Sequence, residues 1–212
     1  MEQGNSFPPF FGEAPRIAVH DPLAAFLGAG DGCITYGYAD AVKLAGHSCP
    51  TVASAYLMTR AALAALYPDT LPRRGELRVE VRDPADEGVA GVIGNVAGLL
   101  TGAAGEGGFH GLGGRFVRRD LLHFGVPMTG QLRFTRTDNG ESVEVSANAQ
   151  MVGGDPRMRE LLPRAVTGMA TPEEVAQFGA LWQERVRRLL LEHADDPNVI
   201  SVERVEAGAV HG

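Results

Sequence analysis

The chain has 212 residues and carries 26 acidic against 19 basic side chains, a net charge of −7. That length fits one domain with an appendage, and the acidic balance argues against a surface built for nucleic acid. Hydrophobic residues at 44% and charged residues at 21% exclude wholesale disorder, and no apolar run reaches the roughly 18 residues that a membrane helix needs.

The N-terminus, MEQGNSFPPFFGEAP, has no charged segment followed by an apolar one, so no signal peptide is expected and a cytoplasmic location is. Its Pro/Phe-rich stretch lacks periodicity. We expect residues 1–18 to be an extended arm, packed on the body or on a neighbour. Phe7 to Phe11 find no evident local core, which makes a homodimer the expected assembly. Asp21-Pro22 reads as a helix N-cap followed by Pro at the first helical position. A second helix is expected over 35–45, stopped by Gly46. Then come His47-Ser48-Cys49-Pro50 and the clearest helix of the chain, rich in alanine and stopped by Pro68.

Residues 76–83 (ELRVEVRD) alternate strictly and predict a half-buried strand. Val92, Val96, Leu99 and Leu100 recur at helical spacing. Residues 102–114 form a glycine-rich loop carrying Phe109-His110, and 115–124 is expected as a strand. Leu132 and Phe134, the turn Asp138-Asn139-Gly140, and Val143 and Val145 predict a β-hairpin. A short helix over 156–166 follows. Thr171-Pro172-Glu173-Glu174 is a capping box opening a last amphipathic helix, and 199–205 adds a final strand. The predicted class is α+β: helices packed on a mixed, mainly antiparallel sheet. We divide the chain into the arm (1–18), an α+β domain (19–150), and a C-terminal helical hairpin with a terminal strand (151–212) packed on the same domain.

Two cysteines, Cys33 and Cys49, are too few for a disulfide framework. Chemistry concentrates at His47-x-Cys49. Two ligand-type side chains stand two apart at a helix start, where backbone N–H groups favour a thiolate. A thiolate ligates metals and attacks electrophiles, while a small buried Cys beside a capping His is the structural alternative. His110 is the second candidate, because glycines let backbone come close to an ion or ligand. Cys33 is expected as a buried core thiol, and His123 as a sheet histidine. His20, His193 and His211 are expected at the surface. The pairs Arg73-Arg74 and Arg118-Arg119, and the run Arg185, Arg187 and Arg188, are expected as solvated faces. Neither a phosphate-binding loop nor a nucleophile elbow is present.

The run Ala41-Val42-Lys43-Leu44-Ala45-Gly46-His47-Ser48-Cys49-Pro50 resembles the FmdE family, which comprises the FmdE component of formylmethanofuran dehydrogenase and its stand-alone relatives, and whose helix ends in His-Gly-His-x-Cys-Pro-Gly. The helix after it, with Tyr56, Met58 and Arg60, is similar too. Gly94-Asn95-Val96-Ala97-Gly98-Leu99-Leu100-Thr101-Gly102 resembles that family's Val-Asp-Ala-Ile-Gln-x-Leu-Thr-Gly-Cys run. The hairpin over 130–145 and the segment 167–174 follow in the same order, so the resemblance spans 20–206.

The resemblance implies an α+β fold of the FwdE/GAPDH-domain-like kind and a divalent metal, typically zinc, near His47 and Cys49. It also marks departures. Ala45 stands for the family's first histidine, Ala103 and Val92 for cysteines, Asn95 for an aspartate, and His110 for the loop lysine. The expected ligands are therefore His47, Cys49 and His110 around zinc or another divalent transition metal with an open position. His110, Asn95 and Thr101 are expected beside a small-molecule or metallocofactor ligand, with haem as an alternative cofactor. The enzymatic alternative makes Cys49 a catalytic nucleophile or redox thiol, with His47 or His110 as its base. The structural alternative is an accessory component of a larger complex, its site decayed. Partners are expected to be a small ligand and a second copy, not nucleic acid or membrane.

Overall fold

The computed structural model describes residues 7–205. The opening segment forms a one-turn helix, α1 (Phe10–Glu13), and then strand β1 (Ile17–His20). This corrects the expected irregular arm. Phe10 and Phe11 are buried in their own chain, where Phe11 packs edge-on against Tyr38 at 5.0 Å between ring centroids. Tyr38 in turn meets Tyr56 at 5.8 Å. The aromatic side chains for which a second copy was expected are thus satisfied internally.

Asp21 caps α2 (Pro22–Phe26) by accepting from the backbone N–H groups of Leu23 and Ala24 at 2.9 and 3.1 Å. Strand β2 (Cys33–Tyr36) pairs antiparallel with β1, His20 opposite Cys33. The helix expected over 35–45 therefore begins later, as α3 (Tyr38–Ala45), because the β-branched run Ile34-Thr35 completes a two-stranded ribbon first. Cys33 is exposed on that ribbon, not buried as expected, because the strand is too short to be covered on both faces. Desolvation, and then the charge of Asp31, push its thiol pKa up.

Helix α4 (Pro50–Leu66) is nearly all buried, which is why its sequence shows no polar stripe. It packs on the main sheet beside α5 (Ala90–Thr101). That sheet runs β4 (Leu122–Phe124), β3 (Leu77–Val81), β5 (Leu132–Arg136), β6 (Ser142–Ala147), β7 (Ile200–Val205). Only β3 and β4 are parallel; the other neighbours are antiparallel. Leu77, Val79, Val81, Leu132, Phe134, Val143 and Val145 form its buried face. On the opposite face Glu80, Arg133 and Glu144 lie in cross-strand register, Arg133 donating to Glu144 at 2.7 Å. Residues 115–121, expected as strand, stay in the loop and contribute only the short edge β4. Gly94 lets α5 approach that edge: a Cβ there would sit 2.5 Å from the Phe124 ring.

Helices α6 (Met158–Val166) and α7 (Pro172–Leu191) form an antiparallel hairpin, α7 capped by Thr171 and Glu174 as expected. The Val186, Leu189 and Leu190 end of α7 is buried, while Val175 at its start is 49% exposed. The C-terminal segment joins the main sheet through β7. His211 lies outside the described residues.

Arg118 is not solvated as expected. It is 7% exposed and donates to Asp21 at 2.7 Å, while Arg74 donates to the same carboxylate at 2.8 Å. This cluster ties the glycine-rich loop to α2 and to the turn before β3. Gly75 makes room for it: its φ is +85°, and a Cβ there would lie 1.8 Å from Arg118 Nη1. Among the described residues, no helix is long and apolar enough to cross a membrane.

Candidate functional site

Gly46 ends α3 in the left-handed region at φ 75°, the conformation that glycine adopts without a Cβ penalty, and the chain turns into His47-Ser48-Cys49. Cys49 is the N-cap of α4. Its Sγ accepts from the Val52 N–H at 3.4 Å, and the residue is buried at 9% exposure. A cysteine thus fills a place where Ser, Thr or Asp is usual.

Ser48 holds this turn in place. Its hydroxyl donates to Gln183 Oε1 at 2.9 Å and lies 3.0 Å from the Tyr38 hydroxyl. Its carbonyl accepts from Trp182 Nε1 and Gln183 Nε2 at 3.0 and 3.2 Å. Three helices, α3, α4 and α7, therefore meet at one serine. Burial raises the Tyr38 phenol pKa further than its Ser48 contact lowers it, so this ring stays a neutral donor. Sequence reasoning missed Ser48, Trp182 and Gln183. The only signal was an aromatic beside an amide on the otherwise amphipathic α7.

His47 is exposed, and its Nδ1 lies 3.0 Å from the Ala45 carbonyl. In the tautomer that makes this bond, Nδ1–H donates and Nε2 is left as the outward lone pair. His110 is also exposed, in the glycine-rich loop, and Arg119 donates to its Nδ1 at 3.1 Å. Asn95 is exposed on α5. Thr101 is 1% exposed; its hydroxyl donates to the Ala97 carbonyl at 2.8 Å and accepts from the Ala103 N–H at 3.3 Å. That hydroxyl finishes α5 and has no face turned to a ligand.

Among the described residues no group of three or more His, Cys, Asp or Glu side chains is placed to hold a metal ion. The expected trio of His47, Cys49 and His110 does not assemble within the chain as it stands, because His110 is held on its loop by Arg119. The nitrogen and sulfur donors at 47 and 49 suit a transition metal in kind, but not in number for a closed site. At two of the family's cysteine positions the structure has Ala103, buried against the end of α5, and the partly buried Val92.

The sequence model of the FmdE family, described as "FmdE, Molybdenum formylmethanofuran dehydrogenase operon", matches residues 44–196. No curated protein matches the chain. Among solved structures, the chain is similar to an FmdE-like protein of the tungsten formylmethanofuran dehydrogenase type from Syntrophus aciditrophicus. The two are 13% identical with a TM-score of 0.43, over 82% of this chain and 74% of that one. The family match takes in the His47-x-Cys49 turn, the glycine-rich loop, the hairpin and all of α7, well over half the chain, so the chain belongs to the FmdE family.

Proposed function

We propose that this protein binds a transition metal or metallocofactor at the start of α4, with His47 and Cys49 as its own ligands and the remaining positions filled from outside the chain. The observation that carries this reading is the clamp at Ser48, which holds the His47-Ser48-Cys49 turn on α3 and α7. Ligands held by such a clamp lose little freedom on binding, which favours affinity. Zinc is the first candidate, and haem remains the alternative for the same donors. A small-molecule ligand, or a second copy in the expected homodimer, would complete the sphere. Membership of the family does not by itself assign the formylmethanofuran reaction to this chain.

The test is metal content by mass spectrometry with the visible spectrum, on protein purified without chelator. We expect about one metal per chain, lost in Cys49→Ser. Serine is itself a good N-cap, so α4 keeps its start in that variant and the loss reports ligation, not unfolding. An unchanged metal content in Cys49→Ser, or none in the wild type, overturns the proposal. A metal-free protein whose Cys49 alkylates rapidly would instead favour the nucleophile.

A further inference from the structure

A cleft of about 260 Å3 opens beside the first two turns of α4, walled by Thr51, Ser54, Met58, Ile93, Gln131 and Arg185 among others. His47 and Cys49 are not part of its wall. Thr51, Ser54 and Met58 share one helix face at this spacing, with Cys49 turned away from it.

Three unmet polar demands converge on this cleft. The first is the helix end. Pro50 has no N–H, the Val52 N–H goes to Cys49 Sγ, and the Ala53 N–H goes to the Cys49 carbonyl. The Thr51 N–H is the one left without a partner among the described residues, at the positive end of a 17-residue helix. The second is Ser54. It is 6% exposed, and its Oγ is buried with no hydrogen-bond partner. A buried hydroxyl left unpaired is costly, and a group entering the cleft would relieve it. The third is Arg185. Its Nε and Nη2 donate to the carbonyls of Val152 and Ala149 at 2.8 and 2.9 Å, which fixes the guanidinium in place. Among the described residues it forms no ion pair, since nearby Asp155 and Glu184 are engaged by Arg157 and Arg187.

A fixed, unneutralised guanidinium, a free helix N–H and an unpaired hydroxyl suit an anion. Met58 and Ile93 make the rest of the wall apolar, which suits a carbon skeleton over a bare inorganic ion. The volume lies below the usual ligand-pocket range of about 300–1,000 Å3, so the molecule is small. We propose that this cleft binds a small organic carboxylate, its carboxylate toward Arg185 and the Thr51 N–H and its short apolar tail on Met58 and Ile93. This site is separate from the metal reading and does not depend on it.

The test titrates acetate, butyrate, benzoate, butyramide and sulfate into 15N-labelled full-length protein and follows the Thr51 amide. We expect saturable shifts with butyrate or benzoate, weaker binding of acetate, and none with butyramide. Ser54→Ala should weaken the best ligand by about 2- to 10-fold while leaving the melting temperature equal or higher, since it removes an unpaired buried hydroxyl. Arg185→Gln should weaken it by about tenfold or more. Because Arg185 also anchors Val152 and Ala149, the Ser54 variant decides if the arginine variant unfolds. No saturable shift with any of the carboxylates overturns the proposal. So does sulfate binding as tightly as butyrate, or Ser54→Ala binding as wild type.

Discussion

Replacing Asp21 tests how the glycine-rich loop is held. Asp21 is 4% exposed, caps α2 through two backbone N–H groups, and receives both Arg74 and Arg118. Asp21→Asn keeps an oxygen for the cap but removes the charge, and leaves the 7%-exposed Arg118 without a counter-ion. Breaking a buried pair from one side costs about 3–5 kcal/mol, much of it the penalty of the stranded charge. Arg74 is more exposed and adds little, because water can take it up. Asp21→Ala also loses the cap, about 1 kcal/mol more. Against a typical stability of about 5–15 kcal/mol, either variant is close to unfolding. Urea denaturation followed by circular dichroism measures both. A loss below about 1 kcal/mol in Asp21→Asn would refute the assignment of Asp21 as the counter-charge. The pH dependence is a second check. Burial alone would raise the Asp21 carboxyl, but the Arg74 hydrogen bond, the Ala24 N–H and the two guanidinium charges outweigh it and hold its pKa below 3.8. Its contribution is therefore fully present above the unfolded value of about 3.9 and is lost as pH falls through the lower folded value. The gap between wild type and Asp21→Asn should close in that acid range and stay constant near neutrality.

Gly75→Ala should destabilise by about 2 kcal/mol or more, since its φ of +85° and the 1.8 Å approach of Arg118 both oppose a Cβ. Combined with Asp21→Asn its cost should be less than additive, because both act on Arg118; an additive double mutant would separate the two effects. Phe11→Ala should cost about 3–5 kcal/mol in a denaturation midpoint experiment, because the ring is 5% exposed and packs on Tyr38. An unchanged stability there, with a fall in mass by light scattering, would return the N-terminal segment to the role of an intermolecular arm.

Local chemistry was enough to place most of the elements. Asp21-Pro22, Cys49-Pro50 and Thr171-Pro172 each mark a helix start with a capping side chain and a proline whose missing N–H costs nothing there, and all three helices begin where those pairs stand. Alternation at Leu77, Val79 and Val81, and at Val143 and Val145, placed strands, because one face of a sheet must be apolar when the other is wet. The order of the family's motifs carried the family itself. Only the tertiary structure decided what joins distant parts. The short ribbon at 17–20 and 33–36 is stabilised by its partner strand, which no local pattern announces. Arg118 reads as a surface charge until Asp21, 97 residues away, meets it. Ser48 gained its role from Trp182 and Gln183 on α7, and Ser54 from a cleft whose far wall is Arg185. His110 lay in the right kind of loop, yet Arg119 holds it there. Capping and alternation act over a few residues and are written in the chain; ion pairs, clefts and ligand sets depend on which residues the packed helices and sheet bring within a few ångströms of one another.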